Sequence, residues 1–184
     1  MKKFILKYKW NICFLIISLP LILVFEPKQK AYYLDIDINS FKSEYFTPVL
    51  IWTWIVLTVA LFLYLIATIK LFQQTLLSVL NFSLYIGLFL LTFQDTILSG
   101  ALFINRQFEQ SRYTKIYVAG YMVGAEGNKE TFHLYDISTK NISTEKKLIN
   151  RLYNPELKSR DTAYLNGYQG LFGIKFQKDP MTTE

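Results

Sequence analysis

The chain has 184 residues, 52% of them hydrophobic, and a formal net charge of +6. That length suffices for one ordinary domain, or for a helical bundle carrying a small one. Twelve basic and nine acidic residues follow Asn105, a balance too mild for a nucleic-acid footprint. A single cysteine, Cys13, excludes an intramolecular disulfide and a cysteine-built zinc site.

The apolar residues are segregated along the chain. Residues 1–104 hold long apolar runs, whereas residues 105–184 are polar and mixed. A soluble core draws short apolar segments from all parts of a sequence. The division therefore predicts an α-helical membrane protein: three transmembrane helices, then a small soluble C-terminal α+β domain over 105–184.

The first helix is expected at about 4–26. Trp10 to Phe25 carries no charge, and extension back to Phe4 supplies the ~20 residues that cross ~30 Å of hydrocarbon, with Lys7 and Lys9 snorkelling. Pro20 predicts a kink or a local loosening. Lys2, Lys3, Lys7 and Lys9, with no acid among them, read as a topology signal or a contact with anionic lipid. A cleaved signal peptide is the rival reading. The region Lys28, Gln29, Lys30, Ala31 lacks small residues at both expected cleavage positions, and the next apolar run would still anchor the chain.

In the loop 26–46, Leu34, Ile36 and Ile38 alternate with Asp35 and Asp37. The period of two predicts a strand over 32–38. A lone strand is marginal in water, so the loop is expected to pack on the C-terminal domain, which three crossings place on the same side. Asp35 and Asp37 also form a loose DxD metal pattern, but the surroundings suggest solvated acids.

The second helix is expected at about 47–71. Thr47 is placed to N-cap it, Pro48 occupies the first helical position, and Phe46 and Ile51 stand at the staple positions. Trp52 and Trp54 lie at the headgroup level. Lys70 and Gln73–Gln74 mark the exit. The third helix, about 75–104, would measure ~45 Å, longer than the hydrocarbon. Its last turns are expected to project, with Asp95 near the interface.

Gln74, Ser78, Asn81, Tyr85, Leu88, Thr92, Asp95 and Ser99 follow alternating steps of four and three. That spacing puts them on one helix face, and all but Leu88 can hydrogen bond. A polar stripe against lipid leaves side chains without partners. It should turn toward the other helices, another subunit or a wet cavity. Thr53, Ala60, Tyr64 and Ala67 of the second helix offer a candidate partner surface.

The basic N-terminus predicts a cytoplasmic start. The loop 26–46 and the C-terminal domain would then be extracytoplasmic, and the lysine-over-arginine bias hints at an AT-rich bacterial genome, which would make the membrane part of a bacterial envelope. In the soluble domain, residues 113–123 and Thr131 to Ile137 read as a hairpin around the Gly127–Asn128 turn. Ser143 is expected to cap a short helix bearing Leu148, Ile149, Leu152 and Tyr153. Thr162 to Leu165, and Leu171, Ile174 and Phe176, suggest one or two further strands of an antiparallel sheet. Met181 to Glu184 reads as a frayed tail.

Chemistry-bearing patterns are sparse. His133 is the only histidine, so no histidine cluster binds metal. Ser143 and Lys146 match Ser-x-x-Lys without its companion motifs. Gly120, Gly124 and Gly127 are not followed by a helix. Tyr113, Tyr117, Tyr121, Tyr135, Tyr153, Tyr164 and Tyr168 suit sheet packing or a binding face. No cofactor is expected.

These readings favour an interaction, accessory or assembly subunit over an enzyme. Its partners would be the lipid bilayer and, through the third helix, another membrane protein or a second copy. The alternatives are a membrane-interface enzyme built on Asp95, Asp35, Asp37 and His133, and an envelope toxin-immunity or stress protein.

Overall fold

A computed structural model describes residues 9–68, 72–123, 130–143 and 145–181. The helices come first. Helix α1 covers Lys9–Pro20, a wide π turn at Leu21–Phe25, and Glu26–Lys30. Helix α2 covers Asp35–Phe41, a second π turn at Lys42–Phe46, and Thr47–Thr68. Helix α3 spans Phe72–Gln107. Strands β1 (Ser111–Val123), β2 (Glu130–Asp136) and β3 (Asn141–Ser143) precede helix α4 (Lys146–Leu152). Strands β4 (Thr162–Gln169) and β5 (Lys175–Phe176) follow.

Among the described residues, two helices are long and apolar enough to cross a membrane, Asp35–Thr68 and Leu76–Gln107. Within the chain, 0% of the apolar stretch of the first and 6% of that of the second is buried. The core helix of a soluble protein would hide such a stretch.

Both π turns precede a proline. Pro27 follows Leu21–Phe25 and Pro48 follows Lys42–Phe46. A proline ring inside a helix clashes with the carbonyl four residues back, and its nitrogen cannot donate. The wider winding, with Glu26 N–H reaching the Leu21 carbonyl and Thr47 N–H the Lys42 carbonyl, accommodates each ring without breaking the helix. The loosened turn lies after Pro20 and ahead of Pro27. Thr47 is not a cap, because the helix already runs from Asp35 through Pro48.

The expected strand at 32–38 does not form. Residues from Asp35 onward are helical. Asp35 and Asp37 in the first turn favour the positive end of the helix dipole, and no strand edge receives the segment.

Two compact units divide the chain. One joins the described residues of Met1–Ile38 and Ala101–Glu184, and the other is Asn39–Gly100. This differs from the expected division at residue 104.

In the first unit, five strands form an antiparallel sheet ordered β3-β2-β1-β4-β5. Strand β1 is central. It pairs with β2 from Tyr117↔Asp136 to Val123↔Glu130 and with β4 from Ser111↔Gln169 to Val118↔Thr162. Alternation sends Tyr117, Ala119, Leu134, Ala163 and Leu165 to one face, where Leu148 of α4, Leu34 and Met181 complete the core. Each such large apolar side chain contributes roughly 1.5–3 kcal/mol on burial. Met181 is thus a core residue and not part of a tail. Residues 182–184 and the turn at 124–129 lie outside the described residues.

The connection before α2 belongs to this core. Leu34 enters it, while Gln177 N–H donates to the Tyr32 carbonyl at 2.8 Å and Met181 N–H to the Ala31 carbonyl at 2.6 Å. Ser143 does not cap α4. It pairs with Leu134 in the edge strand β3, and Glu145 takes the N-cap position.

Candidate functional site

The second unit holds the polar stripe on α3. Gln74 is helical, and its side chain lies outside the described residues. Ser78 is half-buried, and Ser99 is fully buried with its hydroxyl donating to the Asp95 carbonyl at 2.8 Å. Asp95 pairs with Lys42 at 2.8 Å. Between these ends, Asn81, Tyr85, Leu88 and Thr92 are exposed, Tyr85 to 66%. Thr92 donates to the Leu88 carbonyl at 2.8 Å, a bond inside its own helix. The Asn81 carboxamide and the Tyr85 hydroxyl have no partner among the described residues.

Helix α2 meets α3 on a different side. The Trp54 indole N–H donates to the Ser83 carbonyl at 2.9 Å, and Thr58 Oγ1 donates to Ser83 Oγ at 3.2 Å. Gly87 lies against Trp54, where a Cβ would meet the indole nitrogen at 3.4 Å. Ser83 is two residues beyond Asn81, about 200° round the helix. Asn81, Tyr85 and Thr92 therefore do not pack on α2, which meets the stripe where Lys42 reaches Asp95, and Thr53 donates to its own Val49 carbonyl at 2.8 Å. Periodicity identified the stripe. It carried no signal that Ser83 and Gly87 would take the contact, since a lone serine and a glycine define no pattern.

Beside the stripe runs an apolar groove of about 410 Å³, lined by residues that include Leu50, Ile51, Trp54, Leu84, Leu88 and Leu91. Its polar lining is confined to Thr47, Ser83 and Gln94.

In the first unit Asp35 and His133 have different partners. Asp35 pairs with Lys147, whose ammonium also reaches the carbonyls of Lys30 and Tyr33 at 3.4 Å. His133 is on the opposite face of the sheet from the Leu134 core and bonds Thr131 at 2.9 Å. No group of three His, Cys, Asp or Glu among the described residues could hold a metal ion. Asp136 is buried, which alone would raise its pKa. Lys115 at 2.7 Å, together with Ser138 and Thr139, instead holds it well below the usual carboxylate range. Burial would lower the Lys115 ammonium, yet its bonds to Asp136 and Tyr117 raise it. Glu145 accepts the Asp35 N–H. Burial and the neighbouring Asp35 charge raise its carboxyl despite that bond.

The tyrosines do not share a face. Tyr117 is in the core, Tyr113 accepts from Gln177 at 3.0 Å, and Tyr121 donates to the Leu157 carbonyl at 2.9 Å. Only Tyr135 and Tyr164 are exposed on the outer face, with Ile116 and Ile142. A polar groove is lined by Arg112, Arg151 and Lys178, with Glu109 shared between Arg112 and Lys178 and Asp179 paired with Arg151.

No protein-family model matches the chain, and neither a curated protein nor a solved structure is significantly similar to it.

Proposed function

We propose that this is a polytopic membrane protein that works by association, as an interaction, accessory or assembly subunit. Helices α2 and α3 cross the bilayer and α1 adds a third crossing. The small sheet domain lies outside the cytoplasm, and the N-terminus is on the cytoplasmic side of a bacterial inner membrane. One observation carries the reading: Asn81 and Tyr85 stand exposed on a helix long and apolar enough to span, on the side that α2 leaves bare. A carboxamide and a phenol in hydrocarbon need hydrogen-bond partners, and a neighbouring protein supplies them.

Affinity purification from native membranes tests this. Asn81→Leu is expected to release co-purifying protein, or to speed migration on a native gel in mild detergent. Unchanged composition and migration would reject the reading.

A further inference from the structure

We infer that the partner seated on the α3 stripe is a second copy of this chain, the two helices meeting in parallel about a two-fold axis. The inference rests on the association reading and names its partner.

Spacing argues first. Ser78, Asn81, Tyr85, Leu88 and Thr92 recur in steps of three and four, the a and d positions of a left-handed helix pair. In a parallel pair, a and d residues of one helix face the same residues of the other. Each stripe residue must then suit itself as a neighbour.

The chemistry meets that condition. A carboxamide carries both donor and acceptor, so two Asn81 side chains satisfy each other across the axis. The Tyr85 hydroxyl likewise donates and accepts. No charge lies between Ser78 and Thr92, so like copies approach without repulsion. Asp95, the first acid beyond, is compensated by Lys42 at 2.8 Å. Thr92 satisfies its own hydroxyl within the helix and Leu88 is apolar, so neither demands a different partner. A single asparagine at such a position fixes register and oligomer state.

Room is present as well. Asn81, Tyr85, Leu88 and Thr92 are all exposed, and the apolar groove shares Leu88 with the stripe. The flank of the stripe can receive the neighbouring copy's larger side chains.

The test uses the full chain in native membranes, in a Cys13→Ser background. Leu88→Cys should give a disulfide-linked dimer on mild oxidation. Phe82→Cys, exposed to 54% but about 100° round from Asn81, should give little. Adding Asn81→Leu to Leu88→Cys should cut dimer yield about tenfold, and Asn81→Gln should restore it with helicity unchanged in both. Equal crosslinking at 82 and 88, or none at 88, overturns the inference. If Leu88→Cys fails to crosslink while Asn81→Leu sheds a different protein, the second copy is wrong and the association reading stands. If nothing is shed either, both fall.

Discussion

Tyr33 donates its hydroxyl to the Leu102 carbonyl at 2.6 Å and accepts from Asn105 Nδ2 at 3.2 Å, with its ring fully buried. Asn105 extends the link. Its Nδ2 also donates to the Ile174 carbonyl at 3.1 Å, and its Oδ1 accepts the Phe172 N–H at 2.8 Å. The turn before α2, the last turns of α3 and the β4–β5 connection are thus joined by two side chains. Arg106 adds to the junction, its guanidinium 3.6 Å from the Tyr32 ring centre.

Removing either member should loosen this unit. Tyr33→Phe is expected to cost about 1 kcal/mol through the lost hydroxyl. Asn105→Leu should cost about 2–4 kcal/mol, because it strands several buried groups at once. Thermal unfolding in detergent reads the order. Equal melting temperatures for Asn105→Leu and the parent would refute it.

Gly170 has no room for a side chain. An added Cβ would overlap the Asn105 carbonyl oxygen and carboxamide. At Gly167 the obstacles are the Tyr113 ring and Gln177 Nε2, both at 2.6 Å, and the far end of Gln177 can yield. At Gly120 the nearest atom is 3.9 Å away. The expected order of destabilisation is Gly170→Ala, then Gly167→Ala, then Gly120→Ala, with the first costing about 3 kcal/mol. Folded yield after extraction and melting temperature in detergent check it.

Two carboxyls give opposite pH responses. The Asp136 carboxyl is held below its unfolded value. Its contribution is present at neutral pH and is lost as pH falls below about 4. The Glu145 carboxyl is raised, so its ionised form weakens the fold at neutral pH. Protonation relieves that as pH falls through the raised value. Asp136→Asn should lower the melting temperature at pH 7 and flatten the acid limb. Glu145→Gln keeps an acceptor for the Asp35 N–H and should raise the melting temperature at pH 7, the gap closing in acid. A lower neutral melting temperature for Glu145→Gln would contradict the account.

The Lys42–Asp95 pair should behave as a partly sheltered ion pair. Lys42→Met leaves the carboxylate without its ammonium and is expected to destabilise more than Lys42→Met with Asp95→Leu. A double-mutant cycle in detergent measures the coupling. Additive effects would dismiss the pair as a contributor.

Orientation is testable with reporters. Alkaline phosphatase fused after residue 184 should be active and a fluorescent protein dark. The reverse pattern would place the sheet domain in the cytoplasm.

Local pattern determined much of this protein. Unbroken apolar runs specified α2 and α3, because helix length and hydropathy are properties of neighbouring residues. Alternation and turn residues marked the β1–β2 hairpin, and Leu148 with Ile149 marked the inner side of α4. Steps of three and four placed Asn81 and Tyr85 together on one helix face.

Tertiary structure decided the rest. The alternation over 32–38 resembled a strand, yet a strand requires an edge to pair with, and Asp35 and Asp37 instead begin a helix. Pro48 resembled a helix start, and only the wide turn ahead of it lets the helix pass through. Leu34, Tyr33 and Met181 belong to the sheet domain through contacts with residues far along the chain. No local rule encodes such contacts, because their energy exists only once distant segments have been brought together.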